Sequence, residues 1–188
     1  MLGSDNHVIN AGDGQHAHPS QAMLDLMTIT EKKPNLSDLK ITIVGDIAHS
    51  RVANSLQCLF KLMGVGEVCL VAPSCWQPAV IHYGWVTDSL VEGLQQADVV
   101  IGLRVQKERL AEGEALDLPH YRAHYALTQD ALRFAKTDVM VMHPGPINRG
   151  VEIDHEVADG PHSAILTQVH NGVYMRMAIL ESLIQDID

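Results

Sequence analysis

Lys40-Ile41-Thr42-Ile43-Val44-Gly45-Asp46-Ile47-Ala48-His49-Ser50-Arg51 is the stretch on which the fold turns. Lys40–Gly45 reads as a strand, apolar on both faces as in a parallel sheet covered from both sides. Gly45-Asp46 ends it, and Ser50 caps a helix that starts with Arg51. Strand, turn and helix in this order resemble a dinucleotide unit in outline. The turn lacks G-x-G-x-x-G, which leaves a nicotinamide or flavin reading weak. It delivers Arg51 instead to the carboxyl edge of the sheet.

The same alternation continues outward. Further strands are predicted at Glu67–Val71, Gly84–Thr87, Asp98–Leu103 and Asp138–Met142. Helices are predicted at Pro19–Thr30, Ser50–Met63, Ser89–Gln96, Thr128–Ala135 and a long one near Ser163–Ile184. Repeated βα units imply right-handed crossovers. The expected fold is α/β, a doubly wound, mainly parallel five-stranded sheet with helices on both faces. Ligands of such sheets bind beyond the carboxyl ends of the strands.

Several chemistry-bearing residues are expected on that rim. Asp98–Leu103 runs into Arg104-Val105-Gln106, and Asp138–Met142 into His143-Pro144-Gly145-Pro146-Ile147-Asn148-Arg149-Gly150. Two prolines stiffen the second loop and leave carbonyls without matching local donors. Gly12-Asp13-Gly14 reads as a tight turn ahead of a helix opened by Pro19. His18 and Gln21 then share a face at its N-terminus, where free N–H groups and the positive helix pole suit a polarised carbonyl or an anion. Taken alone, that segment reads equally well as an ordinary capped surface helix.

Two arginines from separate strand ends suit a dicarboxylate bound at both ends. Histidine with an amide suits a carbonyl oxygen that gains charge under attack. Carbonyls of a stiff loop suit an NH₂ donor. Together they describe a planar carbamoyl group facing an amino dicarboxylate, with transfer by positioning and electrostatics.

Bulk properties narrow the field. The chain has 188 residues, 46% hydrophobic and 4% aromatic, enough for a core filled by aliphatic side chains and methionine. A net charge of −10 argues against nucleic acid or an anionic membrane as partner. No apolar run is long enough for a membrane span, and the N-terminus has no signal-peptide pattern. Cys58, Cys69 and Cys75 form no C-x-x-C pair, and their odd number and apolar neighbours suit buried thiols in a reducing, cytoplasmic setting.

With these motifs in order, the chain resembles the aspartate-binding half of the aspartate carbamoyltransferase family. The resemblance rests on Gly12-Asp13-Gly14…His18-Pro19-Ser20-Gln21, Val44-Gly45-Asp46…His49-Ser50-Arg51, Leu103-Arg104-Val105-Gln106-Lys107-Glu108-Arg109, Met142–Ile153 and Gln168-Val169-His170-Asn171-Gly172-Val173. It implies transfer of a carbamoyl group from carbamoyl phosphate to L-aspartate, an early step of pyrimidine synthesis. His18 would stabilise the carbamoyl oxygen. Gln21 would bind the carbamoyl amide, with Pro144, Gly145 and Pro146 beside it. Arg51 and Arg104 would hold the aspartate carboxylates with Gln106 in support, and Arg149 is a further candidate cation.

The ornithine enzyme is the sister reading, disfavoured by Arg104, which would repel a cationic side chain. A non-catalytic binding or assembly module that kept the fold is the third. The family's Ser-Thr-Arg-Thr-Arg phosphate cradle is absent. Residues 1–188 are therefore expected to form one aspartate-binding domain, with 1–9 as tail or hinge remnant and 163–185 as the long last helix, lacking the N-terminal carbamoyl phosphate domain. The isolated chain is expected to be inactive or weakly active. Family resemblance also implies a trimer, and leaves a regulatory chain or dihydroorotase as possible partners. No metal or cofactor is expected.

Other side chains get plainer readings. Lys107 and Arg109 are expected to be solvated, and so are His16, His120 and His124. Asp46 and His49 are expected to shape the turn before Arg51, and Asp13 to brace its own glycine turn.

Overall fold

A computed structural model describes residues 7–105 and 117–185. In chain order these carry α1 (Pro19–Lys32), β1 (Lys40–Val44), α2 (Arg51–Leu62), β2 (Glu67–Val71), β3 (Trp85–Thr87) and α3 (Leu90–Leu94). They continue with β4 (Val99–Gly102), α4 (Leu118–Tyr125), α5 (Gln129–Leu132), β5 (Met140–Met142), α6 (His155–Ala158) and α7 (Ile165–Gln185).

The five strands form one sheet in the order β3-β2-β1-β4-β5, with every pairing parallel. Ile41, Ile43, Leu70, Val99 and Ile101 are fully buried, as expected of strands that read apolar on both faces. The order steps one way from β1 to β3 and the other way from β4 to β5. Right-handed crossovers on either side of this reversal put the connecting helices on opposite faces. The reversal lies between β1 and β4, the crevice where sheets of this kind receive ligands.

Each predicted strand is present within a residue or two at its ends. Ser50 caps α2 as expected, accepting from the Ala53 N–H at 3.1 Å. Two helices lie beyond the sequence expectations. α4 is capped by Asp117 and turns its Tyr121 and Tyr125 inward. α6 has only four residues, too few for a periodic signal.

α1 packs on α7 and α2, and α7 packs on β5. Asn171 of α7 donates to Thr28 Oγ1 at 3.1 Å and to Glu31 at 3.0 Å, pinning the two long helices together. The rest of α7 is less covered. Leu166, Val169, Val173, Met177, Leu180 and Ile184 form an apolar stripe at three- and four-residue spacing, all more than half exposed.

Candidate active site

Three strand ends and one helix start meet at the β1/β4 reversal. A cavity of about 230 Å³ opens there, lined by His18, Gln21, Ser50, Arg51, Val52, Leu103, Arg104, Pro144, Gly145 and Pro146. Seven of the expected site residues thus lie around one space. Gln106, Lys107 and Arg109 lie outside the described residues.

The helix end is built as the sequence suggests. His18 is the residue before α1 and Pro19 its first position. The His18 N–H donates to Ser55 Oγ at 2.9 Å, tying the start of α1 to α2. The imidazole has its pKa lowered by partial burial first, then by the charges of Arg51 and Arg176. It is therefore neutral at pH 7, able to donate one ring N–H without adding a third positive charge.

Arg51 leaves the β1 turn at the first position of α2. Asp46 shapes that turn, accepting from the His49 N–H at 3.2 Å and standing 2.9 Å from His49 Nδ1. Gly12 closes over the arginine. A Cβ built on Gly12 would stand 2.6 Å from Arg51 Nη1 and 2.8 Å from its Cζ, and the residue has φ +132°. The glycine turn thus leaves room for a guanidinium as well as reversing the chain. Asp13 braces it, its N–H donating to the Ala17 carbonyl at 2.8 Å.

The β5 loop is stiffened from within. Gly145 N–H donates to His143 Nδ1 at 2.9 Å, Asn148 N–H donates to Glu152 Oε1, and Asn148 Nδ2 reaches the Val105 carbonyl at 3.0 Å. That last bond ties the loop to the exit of β4. His143 is 1% exposed and Glu152 2%, with His143 Nε2 3.5 Å from Glu152 Oε1.

Arg149 does not join the cavity. Its guanidinium donates two hydrogen bonds to the Asp159 carboxylate at 2.6 and 2.9 Å on the exposed side of the loop. Its charge is already matched there. Conversely, Arg176 was not expected. It helps line a second cavity of about 150 Å³ that shares Gln21 and Pro144 with the first, and its guanidinium donates to the Gly172 carbonyl at 2.8 Å. Nothing in the linear sequence marks it, because its approach to His18 depends on α1 packing against α7.

Among the described residues no cluster of His, Cys, Asp or Glu could hold a metal ion, and no helix is long and apolar enough to cross a membrane. His120 and His124 do share a helical face, but their rings stack on each other at 4.1 Å in the open. His16 is exposed beside Asp13.

Comparison with known proteins bears on this cavity. The family described as "Aspartate/ornithine carbamoyltransferase, Asp/Orn binding domain" matches residues 37–183. The companion "carbamoyl-P binding domain" matches residues 2–31, so α1 falls in one match and the sheet in the other. An aspartate carbamoyltransferase catalytic subunit of Legionella pneumophila (strain Lens) is 65% identical over 97% of this chain and 62% of its own length. One from Coxiella burnetii (strain Dugway 5J108-111) is 50% identical over 95% and 57%. Among solved structures, aspartate transcarbamoylase from Trypanosoma cruzi, in complex with carbamoyl aspartate and phosphate, has a TM-score of 0.79 at 32% identity, covering 91% of this chain and 57% of that one. Ornithine carbamoyltransferase from Pyrococcus furiosus has a TM-score of 0.76 at 26% identity, covering 88% and 56%. The chain thus spans about three fifths of the length of the relatives it matches.

Proposed function

Since the chain belongs to the aspartate/ornithine carbamoyltransferase family, we propose that its cavity is the aspartate and carbamoyl end of an aspartate carbamoyltransferase site. On this reading the amine of L-aspartate attacks the carbamoyl carbon of carbamoyl phosphate. A C–N bond forms, the C–O bond to phosphate breaks, one proton passes from the amine to the departing phosphate, and N-carbamoyl-L-aspartate and hydrogen phosphate result.

The observation that carries this reading is the pairing of Arg51 and Arg104 with His18 and Gln21 around one small space. Two guanidiniums in a chain of net charge −10 attract a dicarboxylate. Neutral His18 donates toward an oxygen that becomes negative as the carbonyl is attacked. Pro144 and Gly145 carbonyls and Gln21 accept from the carbamoyl NH₂. Gln106 would support the aspartate from the β4 loop.

Arg104 is also what favours aspartate over ornithine. An ammonium side chain in its place would meet like charge, whereas a second carboxylate meets its counter-ion. A carbamoyl-phosphate-binding domain would supply the phosphate contacts. The match at residues 2–31 and the exposed stripe of α7 support such a domain docking beside α1. A cytoplasmic setting and a trimeric assembly belong to the same reading. The free thiols of Cys58, Cys69 and Cys75 support the first, although only Cys69 is buried as expected and Cys58 and Cys75 are exposed, and family membership supports the second.

The test is production of carbamoyl aspartate from carbamoyl phosphate and L-aspartate, with L-ornithine as control, by the chain alone and together with a carbamoyl-phosphate-binding domain. Turnover with aspartate only is expected once the phosphate end is supplied. Citrulline formation, or no turnover in the completed site, would refute the reading.

A further inference from the structure

Asp25 lies inside the molecule, on the α1 turn after Gln21, with no surface exposed. Its Oδ1 accepts from two amides, Gln21 Nε2 at 2.8 Å and Gln168 Nε2 at 2.6 Å. Its Oδ2 is buried without a partner. A carboxylate only accepts, so both glutamines must present their NH₂ groups to it. Their carbonyl oxygens are thereby turned away. Gln168 Oε1 accepts from the His143 N–H at 2.9 Å. Gln21 Oε1 is left for the cavity that Gln21 lines.

The same chain of bonds removes donors from the opposite wall. The His143 N–H is taken by Gln168, the Gly145 N–H by His143 Nδ1, and Pro144 and Pro146 have none. The backbone from His143 to Pro146 therefore offers only carbonyls to the cavity. Acceptors from α1 and acceptors from the β5 loop face the same space.

We infer that Asp25 is the positioning residue that makes the surface formed by Gln21 and the His143–Pro146 backbone acceptor-only, across the cavity from the His18 donor, and so selects a carbamoyl NH₂ over an isosteric methyl group. The inference rests on the reading of the cavity given above and deepens it. Asp25 touches no ligand; it acts through Gln21 directly and through Gln168 on the loop. Burial raises its carboxyl pKa to about 7, and either charge state keeps Oδ1 as an acceptor while any proton resides on Oδ2.

N-carbamoyl-L-aspartate and N-acetyl-L-aspartate differ only in NH₂ against CH₃ at the selected position. Their dissociation constants for the chain can be read from NMR titrations. Wild type is expected to prefer the carbamoyl compound by roughly tenfold, the cost of burying acceptors against a methyl group. Asp25→Leu removes the acceptor and should bring the two affinities together. Asp25→Asn keeps an oxygen at the Oδ1 position and should retain the preference. A merely structural lesion would weaken both ligands alike and leave their ratio unmoved.

Both ligands binding with a ratio unchanged in Asp25→Leu would overturn the inference. Neither ligand binding to wild type would sink the reading of the cavity instead. Should Asp25→Leu fail to fold, the wild-type chain still decides. A scalar coupling across the hydrogen bond from Gln21 Nε2 to the Asp25 carboxyl carbon is expected, and its absence overturns the inference.

Discussion

The two ends of the cavity are built on different principles. At the proposed carbamoyl end, Gln21 and the Pro144–Pro146 loop are held by buried hydrogen bonds running through Asp25, Gln168 and His143, while the His18 N–H is held separately by Ser55 Oγ. At the proposed carboxylate end, Arg51 and Arg104 reach in from turns at the sheet edge, and Gly12 packs directly on the Arg51 guanidinium. A neutral NH₂ is told from a methyl only by acceptors whose positions cannot relax. A carboxylate is drawn in by charge, which tolerates a looser frame. Rigidity is concentrated where recognition is weakest per contact.

Charge removal should separate the two ends most sharply. Arg104→Ala and Arg51→Ala each delete a forked, charge-assisted contact worth roughly 3 kcal/mol or more. Succinate affinity should fall at least a hundredfold by calorimetry, while urea unfolding stays near wild type. A loss under fivefold would place the dicarboxylate elsewhere.

The carbamoyl end should reveal its burial through pH. Asp25 has a pKa of about 7 in the folded chain against 3.8 as the reference value. Between these values the folded chain keeps a proton that the unfolded chain has released. Its contribution is therefore fully present below about pH 4 and is lost as pH rises through 7. The unfolding free energy from urea melts should fall by on the order of 2–4 kcal/mol across that window relative to Asp25→Asn. Parallel pH profiles for the two proteins would mean that Asp25 ionises like a surface carboxyl.

Gly12→Ala probes the contact between frame and charge. The added methyl collides with Arg51 and must accept a left-handed φ, a strain of about 1–2 kcal/mol. Succinate should bind roughly tenfold more weakly, with the N-carbamoyl over N-acetyl preference unchanged. Loss of that preference as well would show that the two ends are coupled. The smallest effect belongs to Arg149→Ala, whose partner is Asp159 on the open surface. Affinity for succinate and for N-carbamoyl-L-aspartate should both be unaltered; a clear drop in either would return Arg149 to the site.

Legibility followed range along the chain. Four of the five strands were readable because each is a short apolar run whose burial is written in its own residues, whereas β3 (Trp85–Thr87) is only half-buried at every position. α4 escaped notice because only Tyr121 and Tyr125 mark its inner face. Arg149 read as a site cation because its partner lies ten residues on, across the α6 turn. Asp25 read as nothing at all. An acid within Leu24-Asp25-Leu26 is ordinarily the solvent-facing member of a helix, and only α7 lying over α1 makes it a buried acceptor.

By itself the sequence determined the mainly parallel sheet, its carboxyl edge as the ligand rim, and most of the side chains delivered to that rim, since periodicity and turn chemistry are local. Tertiary structure decided which of them share one cavity, which way the Gln21 amide points, and that Gly12 lies on a guanidinium. The amide orientation depends on α1 and α7 meeting across the 143 positions that separate Asp25 from Gln168, and the glycine contact on the Gly12 turn meeting the start of α2, contacts that no local pattern encodes.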